Sequence, residues 1–124
     1  MAMAILAGVA AALLTGQFEG SGSVCHGKLS LNAGALTWQS SAANCVGVPY
    51  KVLEQAGSDQ RGTLVLQIDS TSECGFGVVK VEFDEKKPEA IAVTGFASVA
   101  DFKNPRLLPY EKLECSVRRV DNKS

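Results

Sequence analysis

The residues with the most chemical potential in this chain are four cysteines, Cys25, Cys45, Cys74 and Cys115, and one histidine, His26. Nucleophilic catalysis by a cysteine needs a free thiolate, a nearby base and usually a group that orients the base. His26 follows Cys25 directly, but it is the only histidine, and a cysteine tied up in a disulfide cannot attack a substrate. Structural zinc sites bring their ligands in close pairs such as Cys-x-x-Cys. Here the cysteines are 20, 29 and 41 positions apart. An even number of widely spaced cysteines in a small domain points to two disulfides.

The remaining candidates are weaker. Asp69 and Asp84 fall near the ends of neighbouring segments that read as strands. Paired carboxylates do acid–base work only where burial separates their affinities for a proton, and both sit beside polar turns. Gly75-Phe76-Gly77 has the glycine content of a phosphate loop, but such a loop must open a helix N-terminus, and this one leads into a strand. The doublets Lys86-Lys87 and Arg118-Arg119 lack the interleaved aromatics of a single-strand nucleic-acid platform. Trp38 shares the parity of Leu36 and reads as core. Phe76, Phe96, Phe102 and Tyr110 fall in or beside connections and form a possible binding patch if the fold gathers them at one end; otherwise they cap the core. The sequence therefore assigns no catalytic residue, cofactor or metal ligand.

The chain has 124 residues, room for one domain, with 12 basic against 13 acidic side chains. Such a balance provides no long-range field for nucleic acid or an anionic membrane. Met3 to Leu14 is apolar throughout, too short for a bilayer span of ~20 residues and of the length of a signal-peptide core. Leu13-Leu14-Thr15-Gly16 resembles the end of a lipoprotein signal, but Gln17 stands where the lipid-bearing cysteine would be. Gly20 and Gly22 offer a second small-x-small site. Residues 1–22 are read as a signal peptide and short linker, with export to the periplasm or outside a bacterium and lipid anchoring only if residue 17 were cysteine. A membrane would then be met only through leader or anchor.

From residue 23 onward the pattern has period two, the mark of strands with one wet face. Leu29 and Leu31, then Leu36 and Trp38, read as a hairpin over about residues 27–39. Val48 to Gln55 reads as a third strand with Tyr50 and Val52 on one face, and Pro49 argues for its start or an edge. Leu64, Leu66 and Ile68 mark a fourth, Val79, Val81 and Phe83 a fifth. Ala90 to Phe96 is apolar on both faces. Ser98-Val99-Ala100-Asp101 has the form of a capping box and predicts a short helix over 99–103, ended by Pro105 and Pro109. Leu113, Cys115 and Val117 mark a last strand over about 110–119.

These seven strands predict an all-β antiparallel meander or barrel, with a two-sheet sandwich as the alternative. In an up-and-down meander successive connections alternate between ends. That places Cys45 and Cys74 at the same end and lets Cys25 and Cys115 tie the termini, predicting Cys45–Cys74 and Cys25–Cys115. In size, charge economy and disulfide use the domain is similar to small periplasmic inhibitors, including lysozyme inhibitors of the β-barrel type, although no residue carries over. The resemblance implies a non-enzymatic module that binds another envelope or extracellular protein. The alternatives are a small-ligand carrier and a structural subunit of an envelope assembly.

Overall fold

The computed structural model describes residues 16–32, 34–58, 60–68, 74–84, 86–87 and 90–120. The apolar run from Met3 to Leu14, Asp69 and the tail from Asp121 lie outside them. The described residues form one closed antiparallel barrel: β1 (Gly16–Gly20), β2 (Gly27–Asn32), β3 (Ala35–Ser40), β4 (Asn44–Gly57), β5 (Arg61–Ile68), β6 (Val78–Asp84), β7 (Ile91–Phe96) and β8 (Lys112–Arg119). Each strand pairs with the next, and β8 returns to β1. Closure rather than stacking of two sheets lets a short meander satisfy its outer strands. The sandwich alternative is therefore set aside.

The eighth strand is β1, where the sequence suggests a linker. Gln17 to Gly20 lie opposite Ser30 to Gly27 of β2, and Phe18 to Gly20 lie opposite Arg119 to Val117 of β8. Phe18 is 1% exposed and belongs to the core. One apolar residue between Gln17 and Glu19 is too short a run to show a period, which is why the strand escapes a reading based on alternation. The stretch after it does behave as a connection, since Ser21 to His26 carry no strand.

Inside the barrel, Phe18, Leu29, Leu31, Leu36, Trp38, Leu64, Leu66, Val79, Val81, Ile91, Val93 and Val117 form one cluster. Eight strands enclose a space that side chains can just fill, and here Trp38, Phe18 and Leu36 are each no more than 1% exposed. The alternations in β2, β3, β5, β6 and β8 thus point inward as the sequence implies.

β4 departs from the expected span at both ends. It starts at Asn44, so Cys45 lies inside the strand rather than in the preceding connection. The register with β3 shifts between Leu36 and Trp38. Gly47, at φ +58°, donates its N–H to Thr37 Oγ1 at 2.8 Å. That bulge lets Cys45 and Val48, of opposite parity, both turn inward, at 0% and 5% exposure. It also removes the alternation that would have announced the strand. Pro49 is accordingly mid-strand, at the last position facing β3. A second shift, between Val52 and Glu54, breaks the expected pairing of Tyr50 with Val52. Tyr50 packs on the core, Val52 is left exposed, and Leu53 turns to the outer surface.

β7 is covered on both faces, as its composition suggests. Its outer face meets the β7–β8 connection, which holds a single helical turn, α1 (Val99–Phe102), and a 3-10 turn over Pro109–Glu111. Ser98 Oγ accepts the Asp101 N–H at 3.1 Å, the N-cap its sequence predicts. The last strand begins at Lys112, two residues later than expected, because Pro109 starts the 3-10 turn that takes Tyr110.

Candidate functional site

The connections β1–β2, β3–β4, β5–β6 and β7–β8 share one end of the barrel, and both disulfides brace that end. Cys45 bonds Cys74 and Cys25 bonds Cys115, the pairing predicted from the order of the strands. The geometry behind the second bond differs from the expectation. Cys25 precedes the second strand, not the first, so the bond does not tie the termini. It carries the β1–β2 connection past β1 onto β8. The same connection is held to its neighbour on the other side, where Ser41 Oγ donates to the carbonyls of Ser23 and Val24 at 2.8 and 3.1 Å.

Phe76 closes this end from within. Its ring stacks on Trp38, with centroids 5.5 Å apart and planes at 26°. It approaches β7 so closely that a Cβ on Gly95 would lie 2.8 Å from Phe76 Cδ1. Gly75, at φ +90°, makes the turn that aims the ring inward. The Gly75-Phe76-Gly77 segment is therefore a plug leading into β6.

The four aromatic residues of the possible patch do lie at this end, but they do not share one surface. Phe76 packs against the core. Phe96 is buried on the outer wall and meets Phe102 edge-to-face, with centroids 5.4 Å apart. These two join Val65, Val78, Leu53, Val99 and Leu107 in a second apolar cluster outside the barrel. The signal for that cluster was present in the sequence as Val65 and Val78, apolar at outward positions. Tyr110 alone of the four is open to solvent, at 81% exposure.

Other exposed apolar side chains join Tyr110 there. Among the described residues, the exposed large hydrophobic side chains are Val24, Val46, Val52, Leu108 and Tyr110. All but Val52 sit at the braced end. Each is mounted on fixed backbone. Val24 precedes the Cys25 bridge and Val46 follows the Cys45 bridge. Leu108 and Tyr110 are set by the 3-10 turn, in which Leu108 donates its N–H to Glu111 Oε1 at 3.0 Å and Glu111 donates back to the Leu108 carbonyl at 2.9 Å.

The opposite end carries several charged side chains. Two open hollows of about 510 and 570 Å³ flank the β4–β5 turn and share Gly57, Arg61 and Asp84. Asp84 Oδ1 accepts the Lys86 N–H at 2.9 Å, so this carboxylate shapes a turn. Acidic and basic groups alternate here, with Arg61 and Lys87 beside Glu82 and Asp84.

His26 is exposed, and its N–H reaches the Gly22 carbonyl at 3.1 Å within the β1–β2 connection. Among the described residues, no group of three or more His, Cys, Asp or Glu could hold a metal ion, and no helix is long and apolar enough to cross a membrane. Two disulfides are compatible with an oxidising extracellular or periplasmic compartment. The chain matches none of the known protein families, curated proteins or solved structures with which it was compared. What the fold defines is a class: a small, disulfide-braced, closed antiparallel barrel whose interior is occupied by its own side chains.

Proposed function

We propose that this chain is an exported, non-enzymatic module of the bacterial envelope that binds, and by binding inhibits or recruits, another envelope or extracellular protein through its disulfide-braced end. The observation that carries the reading is the placement of Val24, Val46, Leu108 and Tyr110 at that end, all exposed and all on immobilised backbone. Exposed apolar side chains concentrated at one end of a domain are candidates for an interaction surface. An exposed tyrosine such as Tyr110, 81% exposed, has the chemistry of an interface anchor. Disulfides that hold such groups in place before binding reduce the ordering cost of association. The carrier alternative has less support, because the interior space that a ligand would need is taken by Trp38, Phe18 and their neighbours.

The test compares the wild-type chain with Tyr110→Asp, each produced in a secreting bacterium and used to capture partners from envelope and culture-fluid extracts. A protein retained by the wild type and lost with Tyr110→Asp, at unchanged melting temperature, supports the reading. Equal capture by both chains removes the braced end from consideration. A small apolar molecule released from the native chain on denaturation returns the carrier reading.

A further inference from the structure

We infer that the Cys25–Cys115 disulfide is a redox-operated clamp on the seam that closes the barrel. A dithiol reductant cleaves it ahead of Cys45–Cys74, and its loss releases β1 from β8. The two bonds differ in what covers them. Cys45 and Cys74 are 0% and 4% exposed and lie within the core cluster, with Trp38 facing Cys45 across the β3–β4 ladder. Cys115 is buried as well, but Cys25 is only partly buried at the margin of that cluster, and its neighbours Val24 and His26 are exposed. Cys25 is thus the least covered of the four. Thiol–disulfide exchange begins when a thiolate reaches one sulfur, so access sets the order in which the bonds are cut. The first thiolate of the reductant bonds to Cys25 Sγ, and the Cys115 sulfur leaves as a thiolate. The second thiol of the reductant then displaces Cys25 and closes the reductant's own disulfide. Two electrons pass to the protein, and the two protons of the dithiol end on Cys25 and Cys115.

The bond spans the shortest seam of the barrel. β1 and β8 face each other at three positions, Phe18–Arg119, Glu19–Arg118 and Gly20–Val117, the fewest of any adjacent pair of strands among the described residues. Beyond Gly20 the chain leaves the ladder, and Cys25 returns it to β8 at Cys115, with Cα atoms 5.6 Å apart. Gly20 permits that return, since a Cβ there would collide with the Cys25 carbonyl oxygen. The side chains along the seam add the exposed Glu19–Arg118 ion pair at 3.3 Å, which contributes little, and the Arg119 guanidinium 4.9 Å from the Phe18 ring centroid. With the clamp cut, β1 keeps five facing positions on β2 against three on β8. It therefore stays with β2, and the barrel opens between β1 and β8, leaving an edge on each. The connection that carries Val24 is released in the same step, so reduction also acts on the braced end. The clamp itself does not depend on the binding reading.

The experiment is graded reduction of the folded full-length chain, both disulfides formed, with dithiothreitol, followed by quenching with iodoacetamide and peptide mapping. Cys25 and Cys115 are expected to become labelled at least about ten times faster than Cys45 and Cys74, and the two bonds to open at similar rates in guanidinium chloride, where the fold no longer shields either. The singly reduced chain should keep its Trp38 emission while amide exchange speeds up in β1 and β8 ahead of β5 and β6. Cleavage of Cys45–Cys74 first, or of both bonds together, overturns the order. The same order in denaturant overturns access as its cause. A singly reduced chain with unchanged exchange in β1 and β8, or with protection lost throughout, overturns the clamp, since the bond then holds nothing at the seam or holds the whole barrel. None of these readings involves a partner, so failure here leaves the binding proposal to its own test.

Discussion

Phe76 and Trp38 are stacked at the mouth of the barrel, and this pair couples a loop to the core. Trp38 is the only tryptophan and is 1% exposed, so its fluorescence reports on the plug directly. Phe76→Ala is expected to shift Trp38 emission to the red and to cost about 2–4 kcal/mol, at the lower part of the range for buried phenylalanines because the ring is only partly enclosed. Unchanged emission would show that the stacking does not shield the indole.

Gly95 lies under the same ring. Gly95→Ala puts a methyl group against Phe76 Cδ1 and is expected to destabilise the wild type by about 1–3 kcal/mol. In a Phe76→Ala background the three ring atoms nearest the methyl group are gone, so the same substitution should cost much less. Additive losses in a double-mutant cycle would exclude that contact as the cause.

Each disulfide should be separately removable at a cost. In the chain-entropy account, the Cys45–Cys74 bond, with a separation of 29, contributes at most about 3.6 kcal/mol and the Cys25–Cys115 bond, with a separation of 90, about 4.6. Against a total of ~5–15 kcal/mol for a typical domain, either Cys→Ser pair should lower the melting temperature sharply. Non-reducing peptide maps should show the two pairings. A map joining Cys25 to Cys45 would contradict the arrangement of the braced end.

The outer cluster should loosen without opening the barrel. Phe102→Ala removes the edge-to-face partner of Phe96 and is expected to cost about 1–3 kcal/mol. Hydrogen exchange should speed up first in residues 98–108, while amides of β2 and β3 keep their protection. Equal loss of protection in β2 would show that the cluster and the interior unfold as one unit.

Tyr110 and Glu19 supply the opposite expectation. Tyr110→Ser alters a side chain that is 81% exposed and should change stability by no more than about 0.5 kcal/mol. Glu19→Gln breaks an exposed ion pair with Arg118 and should cost less than about 1 kcal/mol. Chemical denaturation checks both. A larger loss from Tyr110→Ser would make it a structural residue and weaken its reading as a binding anchor.

Much of the barrel was legible wherever a strand had one wet face. Leu29 and Leu31, Leu64 to Ile68, and Val79 to Phe83 announced their strands and inward faces because alternation in the sequence is alternation in space. The Ser98 cap and the apolar character of β7 were legible for similarly local reasons. The start of β4 was hidden because the bulge at Gly47 lets Cys45 and Val48 both face inward, and a parity rule has no means of seeing a change of register. The possible aromatic patch was half legible. Its members do share one end, but whether a ring at that end faces inward, as Phe76 does, or outward, as Tyr110 does, is decided by the turns that hold it.

The sequence by itself determined the class of fold and the inward residues of most strands, since these follow from period-two patterning; the disulfide pairing agrees with the expectation, but all four cysteines lie at one end, so the alternation of connections does not by itself choose it. Only the tertiary structure decided that the sheet closes and that Gly16 to Gly20 is the strand that closes it. A strand with a single core residue, Phe18, has no pattern of its own. Its place is set by the edges of β2 and β8, both of which it pairs with.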